Sequence, residues 1–313
     1  MKRALIVSNK TALNGYQSGA SLRVLTIFEM LKQLQFETEV TDVEEFRSRK
    51  PTHFDLIVLT PFSAAKVAYK ARRATNFLWF DSCDSWISTR LSRLKHKELQ
   101  QILALIQDWM LNIFHPKYDL LSYISLSDAR NIALPIGSTL ENSFIFPNYY
   151  KELHLNVSEQ KKVVFIGDGD YKPNQDAVQF LGEVTKFISS DIKIHIIGKN
   201  FAFKNPALVF EGYRDERDLY FSRDIHVAPV FAGAGIKNKV AIPLTLGLDV
   251  VTTKHGANGL KDLPKLRIAE SPLEFAKAIE ICMTGQYSSD RPKEVFSLDQ
   301  TVALKNYLRI LFE

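Results

Sequence analysis

The feature that most constrains this chain is a repeated alternation between short β-branched runs and stretches of helical period. Residues 4–8, 38–43, 56–60 and 77–81 are short, mostly apolar runs bounded by polar turns. Runs of this kind read as strands, and helices between them argue for βα units with parallel sheets. Between the first two runs, Val24, Leu25, Ile27, Phe28, Leu31 and Leu34 recur at helical spacing, so a helix is expected over about 22–34 with Ser21 as its N-cap. A second helix is expected over about 95–114, with Leu99, Ile102, Leu103, Ile106, Trp109, Met110 and Ile113 on one side. A strand over about 120–126 then leads to Phe144-Ile145-Phe146-Pro147-Asn148.

Residues 149–161 are polar and without period, which places an interdomain linker at 151–161, after a first domain over 1–150. The alternation restarts beyond it. Strands are expected at 163–166, 193–197, 208–210, 225–228 and 249–253, with helices at 175–188, 236–246 and 272–284. The last segment, about 298–311, is a helical period with no strand after it, so it should pack on existing structure. For 313 residues the reading is an α/β protein of two doubly wound, Rossmann-like domains. Ligands of such sheets bind beyond the strand carboxyl ends, here expected in a cleft between the domains.

Composition narrows the class. Charged residues make up 24% and hydrophobic ones 46%, which excludes a disordered chain, a fibre and a membrane bundle. No apolar run approaches the ~20 residues of a spanning helix. The opening Met1-Lys2-Arg3 precedes an apolar run too short for a signal peptide, and Cys83 and Cys282 are far apart, so a reducing cytoplasm is expected. The net charge is +5, and eight basic side chains between residues 66 and 97 face only Asp81 and Asp84. That stretch reads either as a solvated face or as a contact for phosphates or an anionic membrane surface. Nucleic acid is disfavoured, since no recognition motif accompanies the modest charge.

Several segments carry candidate chemistry. Gly167 to Asn174 runs from a strand through two glycines into a helix, with Lys172 in the loop and Asn174 as expected N-cap. Glycines let backbone amides approach a ligand, and a helix start offers free N–H groups to phosphate. A similar turn recurs at Gly198-Lys199. In Gly233-Ala234-Gly235-Ile236-Lys237-Asn238-Lys239-Val240, small residues lead into a helix with two lysines in its first turn. Cations there oppose the helix dipole by roughly 0.3–1 kcal/mol each, and a bound diphosphate would relieve the conflict. His255-Gly256 opens a further glycine-rich turn suited to backbone contact with a ligand. Asp81 and Asp84 end a buried strand and read either as orienting an acceptor hydroxyl or as helix caps.

Taken in order, these segments resemble the C-terminal domain of GT-B glycosyltransferases, above all retaining enzymes of glycosyltransferase family 4. The resemblance spans about 163–260 and rests on Gly167 to Asn174, Gly233 to Val240, Gly247-Leu248-Asp249-Val250-Val251-Thr252-Thr253 and Gly256-Ala257-Asn258-Gly259-Leu260. It implies a GT-B fold and a nucleotide-sugar donor, UDP- or GDP-linked, held by the second domain over 162–295. Lys237 and Lys239 would meet the diphosphate, Lys172 would assist, and the loop at Gly19 would approach the donor phosphates. The resemblance further implies a final segment, 296–313, that returns to the first domain. The acceptor would be a glycan, a lipid-linked molecule or a protein, and transfer would be retaining, metal-independent and without a separate cofactor. Peripheral contact with the inner membrane face through residues 66–97 fits a lipid-linked acceptor.

One departure accompanies the match. The family's two donor-side glutamates fall on Ala234 and Ile242. A second reading therefore stands beside the enzyme: a non-catalytic GT-B-like subunit supporting a partner glycosyltransferase.

Overall fold

The computed structural model describes residues 2–10, 19–50, 52–83, 103, 106–107, 109–111, 113–125, 128–129, 143–148, 155–233, 235–260, 262–285 and 299–312. The chain divides into two compact units, Met1–Tyr149 with Ser297–Glu313, and Tyr150–Phe296.

The N-terminal unit holds six parallel strands: β1 (Arg3–Ser8), β2 (Glu37–Asp42), β3 (Phe54–Leu59), β4 (Thr75–Cys83), β5 (Leu120–Tyr123) and β6 (Ser143–Ile145). Their spatial order is β2-β1-β3-β4-β5-β6, with Ala4 opposite Thr38 on one side and Leu56 on the other. Ala4 to Val7 are wholly buried, as central parallel strands covered on both faces must be. Helix α1 (Gly19–Gln33) covers one face through Val24, Ile27 and Leu31. It begins earlier than its periodicity predicts, so Gly19 is its first residue and Ser21 lies inside it. Asp42 caps α2 (Val43–Ser48), accepting from the amides of Glu44 and Glu45. A 3₁₀ turn, Phe62–Val67, and α3 (Ala68–Arg73) follow β3.

The C-terminal unit repeats the plan with β7 (Val163–Ile166), β8 (Ile194–Ile197), β9 (Leu208–Gly212), β10 (Ile225–Ala228), β11 (Asp249–Thr252) and β12 (Leu266–Ile268). The order β12-β11-β10-β7-β8-β9 is the doubly wound arrangement, reversing between β7 and β10. Helices α4 (Lys172–Val184), α5 (Asn238–Thr245) and α6 (Pro272–Thr284) pack on the sheet. The last of these lies where its periodicity predicts, with a Ser271–Glu274 capping box fixing its start. The terminal helix α7 (Asp299–Phe312) belongs to the N-terminal unit, where Leu304 and Leu308 are fully buried beside Ile6, Trp79 and Phe146.

The two-sheet α/β reading holds, while local details differ. Strands β6 and β12 were not anticipated; each is only three residues long. The described part of the expected helix near 95–114 is helical, yet Leu103, Ile106, Trp109 and Met110 are exposed, and Leu111 packs on the core instead. Of the basic stretch, Arg72 bonds Asp119 and the carbonyls of Thr75 and Asn76, and Lys70 bonds the carbonyls of Arg47 and Arg49. These cations hold the fold; the remainder of the stretch beyond Cys83, Asp84 included, lies outside the described residues. Among the described residues no helix is long and apolar enough to cross a membrane.

Candidate donor-binding site

The candidate residues of the C-terminal unit gather at the carboxyl ends of β7, β8, β10 and β11, around the point where strand order reverses. This is where doubly wound sheets leave a crevice for ligands, because neighbouring connections depart to opposite faces.

The loop after β7 is built by close backbone packing. The Gly167 amide donates to the Ile197 carbonyl at 3.0 Å, and the Gly169 amide to the Lys199 carbonyl at 2.8 Å. Gly198 has φ +143°, and a Cβ there would stand 1.7 Å from the Gly167 oxygen, so only glycine lets the two turns touch. Asn174 is not the N-cap expected of it. Tyr171 occupies that position, and Asn174 sits in the first turn of α4, buried, donating to the Asp168 carbonyl at 2.8 Å. Lys172 is exposed and ion-paired with Asp176, one turn along. Lys199 is 4.0 Å from the Asp168 carboxylate.

The loop after β10 carries the lysines. Gly233 and Gly235 adopt φ of +103° and +73°, which lets the chain turn sharply before α5. Lys237 is the N-cap residue rather than a first-turn residue, and its ammonium donates to the carbonyls of Gly235 at 2.6 Å and Gly233 at 3.2 Å. Lys239 is in the first turn. Its ammonium donates to the Asn174 side-chain oxygen and lies 4.8 Å from the centre of the Phe165 ring. Burial, and then the neighbouring charge of Lys237, push the Lys239 amine down to about 8. No acidic residue occupies the first turn of α5. Two cations therefore crowd a helix start that favours anions, and an entering diphosphate would meet both charges and the dipole.

After β11, the His255 ring Nε2 is 2.8 Å from the Gly233 carbonyl, so the ring carries its proton there and donates. The Gly256 amide donates to the Thr253 hydroxyl at 3.0 Å, and that hydroxyl donates to the Val230 carbonyl. Ile236 is buried and anchors the lysine loop. Thr253, the last residue of the Gly247–Thr253 stretch, and Tyr171, whose hydroxyl lies close to Gly233, stand beside these loops without being candidates themselves. Of the expected positions, Gly167, Gly198, Lys199, Gly235, Ile236, Lys237, His255 and Gly256 belong to these loops, and Lys172, Asn174 and Lys239 to the first turns of the helices that follow them.

The N-terminal candidates are placed differently. Asp81 is fully buried and caps no described helix. Its carboxylate accepts from Arg23 through both oxygens, from Thr60 at 2.6 Å and from Ser122 at 2.6 Å. Arg23 is 1% exposed and also donates to the Phe146 carbonyl. Asp81 therefore ties α1, β3, β4 and β5 together, and its oxygens are committed to that task. Among the described residues, no group of three or more His, Cys, Asp or Glu side chains is placed to hold a metal ion.

Comparison with known proteins gives this arrangement a class. Residues 160–284 match the model of the family described as glycosyl transferases group 1. The matched residues lie within the C-terminal unit and include the loops that carry Lys237 and Lys239. A search of curated protein sequences finds no match. Among solved structures, HepE of Anabaena in complex with UDP and glucose superposes with a TM-score of 0.60 at 13% identity, covering 99% of each chain. The lipopolysaccharide outer core galactosyltransferase WaaB, in its apo form, gives 0.56 at 11% identity, over 100% of this chain and 99% of that one. A DNA modifying beta-glucosyltransferase gives 0.51 at 11% identity, over 98% and 95%. The fold is GT-B, two Rossmann-like domains, as its sequence resemblance implies.

Proposed function

We propose that the protein transfers a sugar from a UDP-linked donor, with the donor diphosphate held at the start of α5 by Lys237, Lys239 and the amides around Gly235. The observation that carries this reading is the pair of lysines at an acid-free helix start, beside the strand reversal, within the family-matched segment. The UDP and UDP-glucose complexes of HepE favour uridine over guanosine as the base.

The chemistry follows from the charges. A leaving diphosphate gains negative charge as the glycosidic bond breaks, and fixed cations and amides aimed at it stabilise that state more than the ground state. Lys237, held by two carbonyls of its own loop, would exchange those contacts for phosphate oxygens. Retention of configuration, transfer without a metal ion, and an acceptor that is a glycan, a lipid-linked molecule or a protein belong to this proposal and rest on the family resemblance.

The second reading, a non-catalytic subunit, is favoured by one observation. Ile242, where the family has a glutamate, packs against a small apolar cluster of Tyr220, Leu246 and Leu248. A charged hydrogen bond to a ribose, worth about 1.5–3 kcal/mol, is unavailable from that position.

A thermal-shift titration with UDP, GDP, ADP, CMP and TDP separates the two. Selective stabilisation by UDP, lost in Lys237→Ala and Lys239→Ala, together with hydrolysis or transfer from a UDP-sugar, is the expected result. No response to any nucleotide at millimolar concentration would overturn the enzyme reading in favour of the subunit.

A further inference from the structure

The amino-terminal ends of β3 and β4 carry a cavity of about 370 Å³, at the end of the sheet opposite the strand carboxyl ends. Its floor is apolar: Phe46, Phe54 and Ala74 are buried. Its mouth is cationic and aromatic. Lys50 and Arg73 are exposed there, with Tyr69 at 58% exposure.

Two further cations line the walls and are fixed by the fold. Arg49 donates to Glu39 at 2.8 Å, with its guanidinium 5.4 Å from the Phe54 ring centre. Lys70 donates at 2.7 Å to each of the carbonyls of Arg47 and Arg49, and its ammonium is 5.5 Å from the Phe46 ring centre. Among the described residues, the side chains of Lys50 and Arg73 have no acidic partner, and no carboxylate lines the cavity.

We propose that this cavity binds an amphiphilic phosphate: a phosphoryl head joined to an apolar body. Burying the body on the Phe46, Phe54 and Ala74 floor removes apolar surface from water, while the head meets Lys50 and Arg73 at the rim. Inorganic phosphate alone leaves the floor unused, and a plain hydrocarbon leaves the cations unanswered. A soluble phosphomonoester and the headgroup of an anionic lipid share this chemistry. The site lies at the far end of the N-terminal sheet and does not depend on the donor assignment.

The test uses the full chain with three probes. Hexyl phosphate and inorganic phosphate are titrated calorimetrically, and co-sedimentation compares vesicles of phosphatidylglycerol in phosphatidylcholine with pure phosphatidylcholine. Binding of hexyl phosphate at least about tenfold tighter than inorganic phosphate identifies a soluble ligand. Binding confined to the phosphatidylglycerol vesicles identifies the headgroup. In either case K50E/R73E is expected to weaken binding at least about tenfold with an unchanged melting temperature, whereas K50R/R73K retains it. Thr52→Phe, which adds a ring at the cavity wall without altering charge, is expected to weaken binding as well. The proposal is overturned if inorganic phosphate binds as tightly as hexyl phosphate, or if no probe binds. It is equally overturned if K50E/R73E changes nothing, or if Thr52→Phe leaves binding intact and only surface charge matters.

Discussion

The ammonium of Lys239 donates to the side-chain oxygen of Asn174, joining the first turn of α5 to the first turn of α4 across the strand reversal. The contact satisfies a half-buried cation whose charged form is disfavoured by burial and by Lys237.

Replacement of this lysine separates stability from binding. The folded-state amine titrates near 8 against an ordinary value of 10.5, so the unfolded chain binds more protons between those values. Stability contributed by this group therefore rises with pH across that window and is reduced below it. Lys239→Met is expected to keep or raise stability at pH 7, by up to ~1 kcal/mol, while abolishing the stabilisation by UDP that the proposed function expects. Urea denaturation checks the first half; a loss above ~2 kcal/mol would contradict it.

Gly198 is predicted to be irreplaceable on steric grounds. Its φ of +143° is strained for any L side chain, and a Cβ would lie 1.7 Å from the Gly167 oxygen. Gly198→Ala should cost about 2–4 kcal/mol and distort the loop after β7. A denaturation midpoint within ~1 kcal/mol of the parent would show that the two turns are not so tightly opposed.

Removing one member of the buried Arg23–Asp81 pair should be a stability defect rather than a selective catalytic one. Asp81→Ala leaves Arg23 charged and 1% exposed, and is expected to cost about 3–5 kcal/mol. The double change Arg23→Met with Asp81→Leu should recover much of that loss. If Asp81→Ala instead melts like the parent and loses only turnover, the residue has a role at the reacting atoms.

Asp224 provides a pH signature in the C-terminal unit. It is 4% exposed, and burial, opposed by Lys162, raises its carboxyl to about 7 from an ordinary 3.8. The folded protein then binds the extra proton between those values, so its contribution to stability falls as pH rises through that window. Asp224→Asn is expected to stabilise at pH 8 by roughly 1–3 kcal/mol and to change little at pH 4. Equal effects at both pH values would refute the assignment.

What could be read along the chain and what could not divides at particular residues. The strand over 163–166 and the helix over 272–284 coincide with β7 and α6, because a strand buried on both faces and an amphipathic helix each declare themselves within their own few residues. Lys237 and Lys239 were legible as candidates through their place after a small-residue loop. Their separate roles were not. Whether a lysine caps a helix or lies in its first turn depends on one residue of register, which periodicity does not resolve. Asn174 reads as a cap for the same reason, whereas Tyr171 holds that position in the structure.

Asp81 marks the harder limit. At the end of an apolar run its carboxylate looked available, but Arg23, 58 positions earlier, reaches it inside the core. The sequence by itself determined the alternating α/β plan, the doubly wound C-terminal unit and the loops that carry the lysines, since local periodicity and turn chemistry act over a few residues. Tertiary structure alone decided which buried charges are partnered, that Gly198 must press against Gly167, and that Leu304 and Leu308 are the residues by which α7 packs beside Ile6, Trp79 and Phe146. Those outcomes follow from contacts between residues distant in the chain, made once the sheets fix which side chains share a face.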